Sequence, residues 1–213
     1  MIKRIAFPFL LFFCVIQFTN AQSSADAEKI IEDLLTSVKT SAVKTDFKLS
    51  SKEKNELVTQ NVSGTFTLKG EKFVLDMPVM KAYFDGKTQW SYFTHNNEVS
   101  ITEPTEKELA ETNPMAILSG YKSKCNFSFS DKSKATQNHC IEMIPKSKKG
   151  EIVKIEVQIN KTTDNLVSIK LTNKNGSSSL LALSNFQKDQ KISDNTFVFN
   201  SAKYKKVVIN DLR

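Results

Sequence analysis

The chain has little of what most catalytic or nucleotide-binding sites are built from. Its 213 residues include six glycines, five prolines, three cysteines, two histidines and one tryptophan. No G-x-S-x-G elbow, H-E-x-x-H helix or glycine-rich phosphate loop occurs. His95, His139 and Cys140 are the residues from which a metal site or a Cys/His nucleophile would have to be assembled, but they lack ligand spacing such as C-x2-C or H-x3-H. The carboxylates of Asp131 and Glu142 sit among lysines and read as surface charge. The expectation is therefore a protein that is not an enzyme and needs no metal and no cofactor. Arginine-rich stripes interleaved with aromatics are also missing. The net charge is +7, but lysines alternate with acids, as in Lys52-Glu53-Lys54 and Glu106-Lys107-Glu108, which excludes a nucleic-acid groove. The longest apolar run covers about 14 residues where roughly 20 are needed to cross a bilayer.

That run is informative in another way. Lys3 and Arg4 precede apolar Ile5 to Phe18, and Thr19-Asn20-Ala21 supplies the small residue that a signal peptidase requires. Residues 1–21 read as a cleavable signal peptide, with the working domain at 22–213 outside the cytoplasm. Leu11-Phe12-Phe13-Cys14 looks superficially like a lipoprotein signal, but Phe12 and Phe13 are too bulky for it. Cleavage removes two positive charges and no acid, so +7 becomes +5. It also removes Cys14, leaving Cys125 and Cys140 in an oxidising compartment. One disulfide between them is expected, closing a loop of about 15 residues and contributing about 3 kcal/mol.

Periodicity divides the remainder. Ile30, Ile31, Leu34, Leu35 and Val38 share one face of a helix predicted over Ser24 to Thr40, with Asp26, Glu28, Glu32 and Lys39 on the other. From Thr45 the period becomes two: Phe47 and Leu49, then Val62, Gly64, Phe66 and Leu68, then Phe73, Leu75 and Met77. Asp85-Gly86 is a hairpin signal, and Trp90 and Tyr92 share a face of the returning strand. A helical stretch starts at Pro104, restarts at Asn113-Pro114 and should stop at Gly120. Alternation then resumes, with strand-length segments at Phe127/Phe129, Cys140 to Ile144, Ile152 to Ile159, Leu166 to Leu171, Leu180 to Leu183, Phe197/Phe199 and Val207 to Ile209. About ten or eleven strands are enough for one strongly curved sheet. Fifteen phenylalanines, with Met77, Met80, Tyr83, Phe84, Trp90, Tyr92, Phe93 and Met115, load it with large side chains. Periodicity leaves open whether these fill a core or line a cavity.

Four segments carry a resemblance: Gly64-Thr65-Phe66-Thr67-Leu68-Lys69-Gly70-Glu71-Lys72-Phe73, Tyr83-Phe84-Asp85-Gly86-Lys87-Thr88-Gln89-Trp90-Ser91-Tyr92, Asn113-Pro114-Met115-Ala116-Ile117-Leu118, and Phe197 to Arg213. Their order and spacing resemble the periplasmic outer-membrane lipoprotein carrier family, LolA. The resemblance implies a mainly β (α+β) fold, an incomplete antiparallel β-barrel with a helical lid. It implies a monomeric periplasmic carrier that takes acylated lipoproteins from an inner-membrane ABC transporter and delivers them to an outer-membrane acceptor. The same fold could instead serve a lipid-binding or lipid-sensing module that does not transport. By the match, Phe66, Leu68, Phe73, Leu75, Trp90 and Tyr92 line the cavity wall, and Ile31, Leu34, Leu35, Met115, Ile117 and Leu118 the lid. One departure stands out: the family's Lys-Arg-Pro, whose arginine bonds to the lid, is Lys69-Gly70-Glu71 here, and Gly70 cannot make that bond.

Overall fold

The computed structural model describes residues 18–54, 59–188 and 190–213. Most of the expected leader therefore lies outside the described residues; Phe18 to Ala21 form the first turn of α1 (Phe18–Thr40). There follow β1 (Ala42–Lys52), β2 (Gln60–Lys69), β3 (Lys72–Asp76), β4 (Met80–Phe84), β5 (Gln89–Phe93) and β6 (Glu98–Thr102). Two helices, α2 (Glu106–Thr112) and α3 (Pro114–Lys122), lead into β7 (Cys125–Phe129). After the short α4 (Lys132–Ala135) come β8 (Asn138–Pro145), β9 (Ile152–Asn160), β10 (Leu166–Asn173), β11 (Ser178–Gln187) and β12 (Val208–Asp211).

The strands form one sheet in the order β12-β6-β5-β4-β3-β2-β1-β11-β10-β9-β8-β7. Its ends, β12 and β7, do not pair, so the strongly curved sheet stays open. The twelve strands among the described residues exceed the expected ten or eleven. Glu98–Thr102 is a strand that the alternation did not reveal, whereas Phe197/Phe199 is not one: Asp194–Phe197 is a 3-10 turn. The sheet is also not wholly antiparallel, because β12 runs parallel to β6.

Local chemistry explains the turns and caps. Gly86 adopts φ +103°, and the Asp85 carboxylate accepts from the backbone N–H groups of Lys87 and Thr88 at 2.9 and 2.8 Å, closing the β4–β5 hairpin. Thr105 and Glu108 form a reciprocal capping box at the start of α2. Asn113 caps α3, accepting from Met115 N–H at 2.9 Å, with Pro114 in the first turn. α3 passes through Gly120 to Lys122 instead of stopping there. A mid-helix glycine costs about 1 kcal/mol, which the burial of Leu118 and the packing of Tyr121 on the core offset. Gly64 is needed for close approach: a methyl group there would lie 2.1 Å from the Asp76 carbonyl oxygen.

The main core lies on the inner face of the sheet. Ala27, Ile31, Leu34, Leu35 and Val38 of α1 pack with Phe66, Leu68, Phe73 and Phe84 from one half of the sheet and Phe127, Ile141, Met143, Ile155 and Val157 from the other. The predicted helical stripe is thus a buried face, and α1 lies against β7, β1, β2 and α3.

The expected disulfide is not formed, and the register shows why. Cys125 stands opposite Pro145, and Cys140 lies five residues further along β8, about 16 Å away at strand spacing. Bridging needs Cα atoms within roughly 7 Å. An offset of five also puts the two side chains on opposite faces. Cys125 joins the inner core, where burial pushes its thiol pKa up, and Cys140 is buried on the outer face, 3.6 Å from Thr136 Oγ1.

Candidate functional site: an apolar cavity under the helices

Between α3 and the inner face is a cavity of about 210 Å³. β1 contributes Phe47 and Leu49, β2 Phe66, β3 with its turn Leu75 and Met77, and β4 Met80. β10 adds Ile169 and Leu171, β11 Ser179, Leu181 and Leu183, and α3 Pro114 and Ile117. The register puts the wall on one surface: Leu49 is opposite Leu181, Phe47 opposite Leu183, and Leu171 opposite Ser179. Apart from the Ser179 hydroxyl, every side chain presented to the void is aliphatic, aromatic or thioether.

The expected wall and lid residues divide into three groups. Phe66, Leu75 and Ile117 line the void. Leu68 and Phe73 are on the correct face but are buried in solid core beside it, at 3% and 0% exposure, with the Phe73 ring between Phe66 at 5.8 Å and Phe84 at 5.4 Å. Ile31, Leu34, Leu35 and Leu118 are likewise core residues under the helices, and Met115 packs against them.

Trp90 and Tyr92 are corrections. Tyr83 pairs with Trp90 and Phe73 with Phe84, so Trp90 and Tyr92 project from the outer face. There Tyr92, Val99 and Phe199 form a second small core, against which Tyr83, Trp90, Tyr204 and Val207 pack. The Phe199 and Tyr204 rings stack at 4.9 Å, and burial together with the Tyr204 hydroxyl at 3.3 Å raises the Tyr83 pKa. The wall residues that the resemblance did not supply are chiefly Phe47, Leu49, Ile169, Leu171, Leu181 and Leu183. Their signal was the same i, i+2 alternation that marked the strands.

Polar contacts around the helices show what ties the cover down. Lys122 Nζ on α3 lies 2.5 Å from Glu32 Oε1 on α1, bracing the two helices together. At Lys69-Gly70-Glu71 the flanking lysines reach away from the helices. Lys69 donates to the Ile192 carbonyl at 2.9 Å, and Lys69 and Lys72 grip Asp194 at 2.7 and 2.8 Å, holding its pKa down at about 2.

A second hollow of about 290 Å³ lies between α1 and the β9–β10 turn. Asp33, Asp164 and Lys188 face it beside Ile30, Leu34 and Ile159, a wall too polar for an alkyl chain. Among the described residues no cluster of three or more potential metal ligands occurs, and no helix is long and apolar enough to cross a membrane.

The model of the outer membrane lipoprotein carrier protein LolA family matches residues 17–176. The chain belongs to this family. The match spans α1 to the β10–β11 turn and so includes the helices and most of the cavity wall. Family members are lipid- or lipoprotein-binding proteins. A solved structure of an uncharacterized conserved protein from Thermus thermophilus is similar, with a TM-score of 0.58 at 9% identity, covering 87% of this chain and 99% of that one. At that identity the likeness shows the fold alone. A DUF1329 family protein from Desulfovibrio piger (TM-score 0.47, 13% identity, 84% and 98% covered) and a LolA superfamily protein from Nitrosomonas europaea (0.42, 9%, 81% and 97%) are also similar. No curated protein matches.

Proposed function

We propose that this protein is a periplasmic carrier that holds the acyl chains of lipoproteins in the cavity beneath α3 and moves them from the inner to the outer membrane. In this reading an inner-membrane ABC-type transporter loads it, an outer-membrane acceptor unloads it, and the protein itself acts as a monomer without chemistry. The observation that supports the reading is the cavity. It is an almost purely apolar void, which water fills poorly and an alkyl chain fills well. Each methylene withdrawn from water contributes about 0.8 kcal/mol, enough for a few chains to require shielding throughout transit.

The volume adds a mechanical requirement. About 210 Å³ is below the roughly 300–1,000 Å³ of ordinary ligand pockets, so an acylated client enters only if the cover moves. α2 and α3 suit that motion. They are short, only Leu118 among the residues of α3 is fully buried, and the exposed Glu32–Lys122 pair contributes at most about 1 kcal/mol to holding them. With Gly70 where the family arginine stands, that pair is the ion pair that braces α3 among the described residues.

The test is hydrogen exchange on protein stripped of lipid, with and without a diacylated peptide. α2 and α3 should exchange by local opening well before the sheet and gain protection when the peptide binds. Loaded protein should then release the peptide to acceptor vesicles. Uptake without release would favour a lipid-sensing module, and no uptake by stripped protein would overturn the carrier reading.

A further inference from the structure

Exposed lysines without an ion-pair partner among the described residues concentrate in one group of turns of this protein. At one end of the sheet lie three neighbouring turns, β1–β2, β10–β11 and β8–β9. The described residues of these turns and their flanks carry Lys52 and Lys54, then Lys174, then Lys146, Lys148 and Lys149, all exposed, against Glu53 and Glu151, and the sequence adds one further acid, Glu56, to the first loop. The turns are joined to one another. Lys174 N–H donates to the Glu151 carbonyl at 2.9 Å, and the Lys54 side chain lies so close over Gly176 that a methyl group there would come within 2.7 Å of it. Among the described residues none of the six lysines forms an ion pair. The opposite end carries mixed charge, with Asp131, Lys132 and Lys134 between β7 and β8, and Lys161 and Asp164 between β9 and β10.

Part of the cavity wall extends towards this basic end. Leu49, Leu171, Ser179 and Leu181, the wall residues nearest these turns, are only half-buried. Beyond them on the same inner face Val62 is 38% exposed, and Val153, at the irregularity in β9 next to this end, is exposed to the same degree. Around the rim, Val79 at the tip of the β3–β4 turn is 62% exposed. The arrangement is an apolar opening with a lysine collar on one side.

We propose that this collar docks the protein on an anionic phospholipid bilayer, so that the cavity mouth faces the membrane when an acyl chain passes. The proposal rests on the carrier reading and adds the surface that the carrier would use. Charge complementarity selects the partner. A bilayer containing phosphatidylglycerol presents a negative plane, and each lysine near such a plane strengthens binding about fivefold, the equivalent of about 1 kcal/mol. Six lysines on three linked turns can meet a plane together, and the exposed valines reach its interfacial layer.

The experiment is flotation of lipid-stripped full protein with vesicles of phosphatidylcholine alone or with about 30% phosphatidylglycerol, the uptake of a soluble acyl probe being measured separately. Wild type should bind only the anionic vesicles. Binding should weaken steeply between about 0.1 and 1 M salt, as the screening length falls from about 10 to about 3 Å. Lys148→Gln/Lys149→Gln/Lys174→Gln should weaken it on the order of a hundredfold while leaving probe uptake intact. Lys107→Gln/Lys132→Gln/Lys134→Gln removes the same charge from elsewhere and should bind like wild type. Equal losses in the two variants, or equal binding to both vesicle types, would overturn the proposal. So would vesicle binding that the collar variant leaves unchanged, the outcome expected if the lysines serve an acidic protein partner. Absent probe uptake with collar-dependent docking would sink the carrier reading alone.

Discussion

The two apolar regions of this molecule use the same residue types and differ in what covers them. On the outer face, Tyr92, Val99 and Phe199 lie under the chain's own C-terminal segment, with Tyr204 stacked on Phe199 at 4.9 Å and 4.3 Å from the Tyr92 ring. On the inner face, solid packing around Phe66, Phe73 and Phe84 gives way, a strand or two on, to the void beside Leu49, Leu171 and Leu181. The outer cluster is closed by segments that meet it ring to ring. The inner face is roofed by α3, which supplies only Pro114 and Ile117 to the void and leaves it unfilled. An apolar surface becomes a binding site when its cover is too sparse to fill it, and ordinary core when the cover interdigitates.

Charge substitution should break this comparison most sharply. Phe73→Glu puts a carboxylate into solid core at 0% exposure, and several kcal/mol of desolvation should unfold the protein. Leu181→Glu, on the half-buried cavity wall, should stay folded because the void can hydrate the new group, while acyl-probe uptake is lost. Circular dichroism melts and probe titration check both; if Leu181→Glu unfolds like Phe73→Glu, the wall is core and the distinction fails. Next in size, Phe199→Ala should cost about 3–5 kcal/mol and lower the melting temperature without changing probe affinity. A loss of affinity in that variant would mean that the two faces are coupled.

The smallest effect concerns how the C-terminal segment is pinned. Lys69 and Lys72 depress the Asp194 pKa to about 2 from the usual 3.8, so the contribution of this contact is present above about pH 4 and is lost as pH falls through 2. The difference in melting temperature between wild type and Asp194→Asn should be constant from about pH 7 to about 4 and vanish towards pH 2. A difference that persists at that acidic limit would show that the carboxylate charge is not what holds the segment.

Much of the architecture was legible in residue order. The helical stripe Ile31, Leu34, Leu35 and Val38, the Asp85-Gly86 hairpin, the Asn113-Pro114 restart and most of the strands follow from period, caps and turns, because these depend on neighbours in sequence. Glu98–Thr102 escaped because two polar residues, Glu98 and Ser100, flank its one buried residue, Val99, and one of its two partners, β12, comes from the far end of the sequence. The candidate site was legible only in part. Phe66, Leu75 and Ile117 line the void, whereas Trp90 and Tyr92 lie on the other surface of the sheet and Cys125 stands out of reach of Cys140.

The misplacement of Trp90 and Tyr92 has a physical cause. A period of two states that Trp90 and Tyr92 share a face and is silent about which face, since alternation is symmetric between the two sides of a sheet. Where one side is polar, solvent breaks the symmetry and sequence suffices. Here both sides of β4 and β5 carry aromatics, and only the hydrogen-bonded register and the cover laid over each side, α1 and α3 within and the Phe199–Tyr204 segment without, decided which would pack and which would be left hollow.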